Sequence, residues 1–185
     1  MKESVTFYIR ASVPKGHPFP IISWLIRLIT FFDSSHVFGT FPLSNRIFHA
    51  HFNTILFEGP EYLNKVTTKH QFKIDVPKDR YMEMMKYFES IKGEKSGYFL
   101  QLFGVAFSLL FRLVGIKSFP NLLAWIGNSL TCSEVLLKGL EKSKILVLPK
   151  KFDYPRENFT EKDMVKFLDY MTKNPQEHCK VLRVS

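Results

Sequence analysis

The sequence predicts an α+β domain in which an antiparallel sheet packs against helices. Three observations carry that expectation. Alternating apolar and polar residues mark strands at Val5–Ile9, His36–Phe41, Arg46–Phe57 and Gln71–Val76. The turn formers Pro42-Leu-Ser-Asn45 and Glu58-Gly-Pro60 separate the last three of these, which together read as an antiparallel meander. Helical spacing of apolar residues precedes these strands and takes over after them, and a 45% hydrophobic fraction with 19 Phe is enough for a sizeable core. The whole chain, residues 1–185, reads as one domain without internal repeats, low-complexity tracts or linkers.

Taken in order, the strand at Val5–Ile9 leads to a loop, Pro14-Lys-Gly-His-Pro18. A helix follows over Ile21–Phe32, with Ile21, Ile22, Leu25, Leu28, Ile29 and Phe32 at helical spacing, and Asp33-Ser-Ser breaks it. After the central strands, Asp79–Ile91 is an amphipathic helix with Tyr81, Met84, Met85 and Phe88 on one face. Lys92-Gly-Glu-Lys-Ser-Gly97 is an exposed turn.

Phe99–Ile116 is the most apolar stretch, interrupted by Gln101, Ser108 and Arg112. An arginine near a bilayer centre costs about 2.5–3.5 kcal/mol. The stretch is therefore expected to be a core helix or broken helix pair, one that lines an apolar groove or makes peripheral membrane contact. No transmembrane segment is expected. Lys144–Leu148 reads as a short strand ended by Pro149, and Asp153-Tyr-Pro-Arg as loop. Thr160-Glu-Lys-Asp163 caps a last helix that runs to about Met171, and residues from about 174 onward form a peripheral tail or edge strand.

The formal net charge is +9, with its densest group at Lys142, Lys144, Lys150 and Lys151. Without an Arg-rich arm or an RNA-binding aromatic signature, this basic balance predicts no specific nucleic-acid partner. Two cysteines make no disulfide framework. The N-terminal residues alternate like a strand and do not read as a signal peptide, so a cytoplasmic protein, or one delivered without such a signal, is expected.

Cys132 is the focus of the chemistry. It lies in Asn128-Ser-Leu-Thr-Cys-Ser-Glu-Val-Leu-Leu-Lys-Gly139, where Thr131 and Glu134 have capping-box spacing. That places the thiol in the first turn of a helix. There the unsatisfied N–H groups and the helix dipole favour a thiolate, and the same N–H groups can hold an oxyanion. The alternative is a buried, inert thiol.

A thiolate needs a base. His17 and His178 lie in loop and tail, and His70 suits a surface role at a strand entrance. His36 opens a strand directly after a helix break, from which it can reach a cleft at the sheet end. On the following strand His49 and His51 share the face opposite Phe48, Ala50 and Phe52. Either can stand beside His36 and orient its ring, or that face is simply wet. A metal held by His36, His49 and His51 is a further alternative, but it lacks a neighbouring acid or thiolate at ligand spacing. No Gly-x-Ser-x-Gly elbow and no phosphate-binding Gly-rich loop is present, so neither a serine hydrolase nor a nucleotide cofactor is expected, and no cofactor is assigned.

The order of these features resembles a known family. Ser35-His-Val opens a strand after an apolar helix, Ile47-Phe-His-Ala50 lies on the next strand and Tyr62-Leu follows it. Thr131-Cys-Ser-Glu-Val135 then opens one helix and Thr160-Glu-Lys-Asp163 another. This pattern, from Val5 to Met171, resembles the circularly permuted papain-like cysteine hydrolases of the NlpC type, in which the histidine precedes the cysteine. The resemblance implies a papain-like fold with Cys132 as nucleophile and His36 as general base. It puts the third polar role on His49, where many permuted members have Glu; His51 is the alternative. The implied function is hydrolysis of a peptide-like or cell-wall-like amide through an acyl-enzyme. The implied alternatives are a lipid-acting acyltransferase or lipase of the lecithin:retinol acyltransferase-like type, and a catalytically idle binding module. The sequence does not specify an oligomeric state.

Overall fold

The structure is a computed structural model and describes residues 3–15, 20–50, 54–95, 130–152, 159–177 and 179–184. It is α+β. Strands β1 (Ser4–Pro14), β2 (His36–Phe41), β3 (Arg46–Ala50), β4 (Ile55–Glu58), β5 (Val66–Pro77) and β6 (Lys180–Val184) form one sheet in the order β4-β3-β2-β1-β5-β6. Every neighbouring pair is antiparallel. Helices α1 (Pro20–Thr30), α2 (Lys78–Ser90), α3 (Cys132–Lys142) and α4 (Glu161–Lys173) complete the regular elements, with 3₁₀ turns at Pro42–Ser44, Pro60–Lys65 and Lys150–Phe152.

The expected meander of residues 36–76 holds from β2 through β4, and β1 lies on the other side of β2. The Pro42–Ser44 turn joins β2 to β3 as its sequence predicts, and Asn45 closes it in the left-handed conformation at φ 51°. Arg46–Phe57, however, is two strands rather than one. The chain reverses so that Ala50 pairs with Ile55 and Ile47 with Glu58. Nor does β5 continue the meander: it crosses to the far side of β1, where Ile9 pairs with Phe72 and Val5 with Val76. This long, doubly paired β1 is the sheet's centre, and it runs well beyond the expected Val5–Ile9. The C-terminal residues supply an edge strand, β6, paired with β5 from Gln71↔Val184 to Asp75↔Lys180.

Alternation along the strands sorts the two faces. Phe7, Ile9, Val37, Phe48, Phe72 and Ile74 point into a core shared with Tyr81, Met84 and Phe88 of α2, Val135 to Leu137 of α3 and Phe167 of α4. Burying each such large side chain is worth roughly 1.5–3 kcal/mol. The opposite face carries Phe38 and Ile47, covered by Tyr62 from the 3₁₀ turn and by Val66.

One further expectation is corrected. Lys144–Leu148 is not a strand. The amide N–H groups of Ile145 and Leu146 turn back to Leu140 O at 3.0 and 3.3 Å, closing the end of α3, while Lys144 takes φ 52°. Val147 is held through both of its backbone groups by the side-chain amide of Gln176, at 2.9 and 2.8 Å. On α1, Leu28 is half exposed, whereas Ser23, Ile26 and Thr30 are buried and Phe32 just beyond packs against the core. Trp24 and Phe31 are also exposed. Among the described residues no helix is long and apolar enough to cross a membrane. The expectations for Phe99–Ile116, His17, His51, His178 and the Asp153-Tyr-Pro-Arg loop lie outside the described residues.

Candidate active site

Cys132 is the first residue of α3. Thr131 is the N-cap: its Oγ1 accepts from Glu134 N at 3.2 Å, and Glu134 Oε2 accepts from Thr131 N at 3.3 Å. The reciprocal capping box read from the sequence is present, so the helix begins where the thiol stands. Leu136, Leu137 and Leu140 anchor the helix in the core. The thiol is 1% exposed, and Cys132 Sγ donates to Glu161 Oε1 at 3.4 Å. One residue on, Ser133 Oγ donates to Phe159 O at 2.5 Å, pinning the start of α3 to the residues ahead of α4.

His36 opens β2, as predicted. Its position is set by the residues before it: Ser35 N donates to Ser12 O at 3.0 Å on β1, and Ser35 Oγ bonds Ser23 Oγ of α1 at 2.6 Å. The serines of the helix break thus moor the strand entrance to its two neighbours. His36 is 8% exposed and stacks on Phe38 of its own strand.

His49 lies on the same face of the sheet. The two imidazoles meet edge to face, their centroids 5.3 Å apart, so the expected pairing of His36 with a β3 histidine is present. The face is not wet, however. The Pro60–Lys65 turn lays Tyr62 over it, with centroid distances of 4.4 Å to His49 and 6.3 Å to His36, and the His49 side chain has no exposed surface.

Two acids complete the arrangement, and sequence reading missed both. Glu58 Oε2 is 2.8 Å from His49 Nε2. Ile47 faces Glu58 and His49 faces Leu56 across the hairpin, so His49 and Glu58 project from one face as a diagonal pair. The hydrogen bond from His49 is the main cause that holds the Glu58 carboxyl below its ordinary range, with smaller help from the His49 and Lys65 charges. Placing the reversal after Ala50 would have exposed this pair in the sequence. Glu161, the partner of the thiol, left no such signal, because an acid in the first turn of a helix is ordinary.

Tyr62 links the parts. Burial, reinforced by the negative charges of Glu58 and Cys132, keeps its hydroxyl well above its ordinary range, so it stays protonated. Its ring packs against both histidines, and the Cys132 charge is the least of the causes that raise its hydroxyl. Among the described residues no cluster of three or more His, Cys, Asp or Glu is arranged to hold a metal ion.

His70 differs from its expected place. It lies within β5, with Nε2 2.8 Å from Asp33 Oδ1, Nδ1 2.8 Å from Arg183 Nη2 and its ring stacked on Phe32. Since Arg183 can only donate, Nδ1 accepts and Nε2–H donates to Asp33. Cys179 is also buried, and burial first, then the Asp75 charge, pushes its thiol up to about 12. That burial disfavours the Cys179 thiolate.

No protein-family model, no curated protein and no solved structure matches this chain.

Proposed function

We propose that the chain is a papain-like cysteine hydrolase of the circularly permuted kind, with Cys132 as nucleophile, His36 as general base and His49 as the residue that orients His36. The observation that carries this reading is the convergence on Tyr62. A histidine pair with a carboxylate behind it stands on the sheet, and a cysteine at the start of a capped helix lies within range of the tyrosine that covers the pair. A strand-borne histidine ahead of a helix-borne cysteine is the permuted order.

In the mechanism, His36 takes the thiol proton and the thiolate attacks an acyl carbonyl. The N–H groups of the first turn of α3 hold the tetrahedral oxyanion. The imidazolium then protonates the leaving group, and water releases the acyl-enzyme. Glu58 fixes the tautomer of His49 through Nε2, as a carboxylate does for the histidine of other triads. Cys132 and His49 are closed to solvent, so the site must open to admit a substrate.

The substrate we favour is a peptide-like or cell-wall-like amide. A second reading, acyl transfer from or hydrolysis of a lipid, is favoured by one observation. Trp24 and Leu28, a turn apart on α1, and Phe31 just beyond it all expose apolar surface on a chain of net charge +9. Incubation with muropeptide-like amides and with phospholipid vesicles, followed by intact-mass detection of a covalent adduct, separates the two. An acyl adduct on Cys132 that is absent in His36→Ala supports the hydrolase reading, and the donor that forms it identifies the substrate class. Turnover that survives Cys132→Ser sinks it.

A further inference from the structure

Two helices begin at one point. Cys132 is the first residue of α3 and Glu161 the first of α4, and their side chains meet at 3.4 Å with 1% and 7% of each residue exposed. Capping does not account for Glu161. The α4 capping box is made by its neighbours, with Thr160 N donating to Asp163 Oδ2 at 3.0 Å and Asp163 N to Thr160 Oγ1 at 3.2 Å. A carboxyl at a helix start is well served by water, yet this one is turned inward onto a sulfur. The Ser133–Phe159 bond holds the two helix starts in register, so the contact is built rather than incidental.

We propose that Glu161 is a positioning residue that controls the protonation of Cys132. As a neutral acid it donates its O–H to the sulfur and steadies the thiolate. As a carboxylate it accepts the S–H and keeps the thiol protonated. This inference rests on Cys132 being the nucleophile proposed above.

The chemistry is that of two acids sharing a dry contact. One proton between them sits on sulfur or on oxygen, and the hydrogen bond survives either way. Removing that last proton leaves two negative charges 3.4 Å apart, so the pair loses its protons in two separated steps. Burial, with a smaller push from Asp163, raises Glu161 to about 7 against the opposing hydrogen bonds from its own backbone and from Cys132. The carboxyl therefore gains and loses its proton near neutral pH, beside the sulfur. Among the described residues, Asp163 bonds Thr160, Glu134 bonds Thr131 and Lys138, and the Lys162 ammonium donates to Thr30 O. Tyr62 also feels the Cys132 charge, and His36 and His49 pack against Tyr62.

The test is the ultraviolet absorbance of the thiolate against pH in the full chain, with Cys132→Ser subtracted to remove Cys179 and the tyrosines. This readout needs no reagent to reach the buried sulfur. Glu161→Gln keeps the shape and an N–H donor but cannot ionise. It is expected to lower the Cys132 midpoint by about one pH unit, roughly tenfold in thiolate fraction, and to turn a two-step curve into one step. Should Glu161→Gln fold poorly, Glu161→Ala must also titrate in a single step. An unmoved or raised midpoint with the wild-type curve shape overturns the proposal. His36→Ala, run alongside, separates this idea from the hydrolase reading. If Glu161→Gln lowers the midpoint while His36→Ala leaves it unchanged, the control by Glu161 stands and the thiolate–imidazole pair falls. The reverse pattern overturns Glu161 and leaves the pair.

Discussion

Partly exposed Glu58 and buried Glu161 are acids shifted in opposite directions. The His49 hydrogen bond lowers the Glu58 carboxyl, so its stabilising contribution is present above the ordinary carboxylate range and is lost as pH falls through its lower folded value. Acid unfolding should therefore begin at higher pH for His49→Ala, followed by circular dichroism. Glu161 is raised to about 7, chiefly by burial, so its contribution is complete below an unfolded value of roughly 4.3 and fades as pH climbs to its folded value. A shift of that size corresponds to stability on the order of 3 kcal/mol. Between about pH 5 and pH 7 the thermal midpoint of the wild type should fall relative to that of Glu161→Gln. Parallel midpoints across that window would mean that Glu161 is not held neutral.

At the scale of elements, the helix that presents Cys132 is fixed at its start and along its side. Thr131→Ala removes the cap and should cost about 1 kcal/mol in urea unfolding. A Cβ at Gly139 of α3 would drive into the Phe88 ring of α2. Gly139→Ala should cost about 1–3 kcal/mol through overpacking, with Phe88→Leu in the same chain recovering part of it. These elements also mark what the sequence could reveal. Both capping boxes, Thr131 with Glu134 and Thr160 with Asp163, were legible because their chemistry spans four residues. The hairpin between β3 and β4 was not, since the alternation runs on through His49, His51 and Asn53 without a Gly or Pro to mark the reversal. Lys144–Leu148 misled for a related reason: its apolar residues close the end of α3, and nothing local distinguishes that from pairing in a sheet.

For the whole molecule, the sheet order decides which residues meet. His36 and His49 were legible as a pair because neighbouring strands in a hairpin keep a fixed face. The partnership of Cys132 with Glu161, 29 residues on, depends on how α3 and α4 dock, and no local pattern encodes that. The far edge is closed by a chain of charged contacts: Arg183 of β6 reaches Asp169 of α4 at 2.9 Å and His70 of β5, which in turn reaches Asp33. Arg183→Ala should speed amide hydrogen exchange along the β5–β6 ladder and leave β2 and β3 unchanged. Uniform acceleration across the sheet would mean that this edge is not a separate unit.

For the proposed pairing of an activated Cys132 thiolate with His36, Cys179 provides an internal control because it is buried nearly as deeply. The measurement is the pH dependence of iodoacetamide labelling at both cysteines, resolved by peptide mapping, in wild type and His36→Ala. Cys132 should label far faster than Cys179 below pH 7, and His36→Ala should abolish the difference. Equal labelling of the two cysteines, rising only at alkaline pH in both proteins, would contradict it.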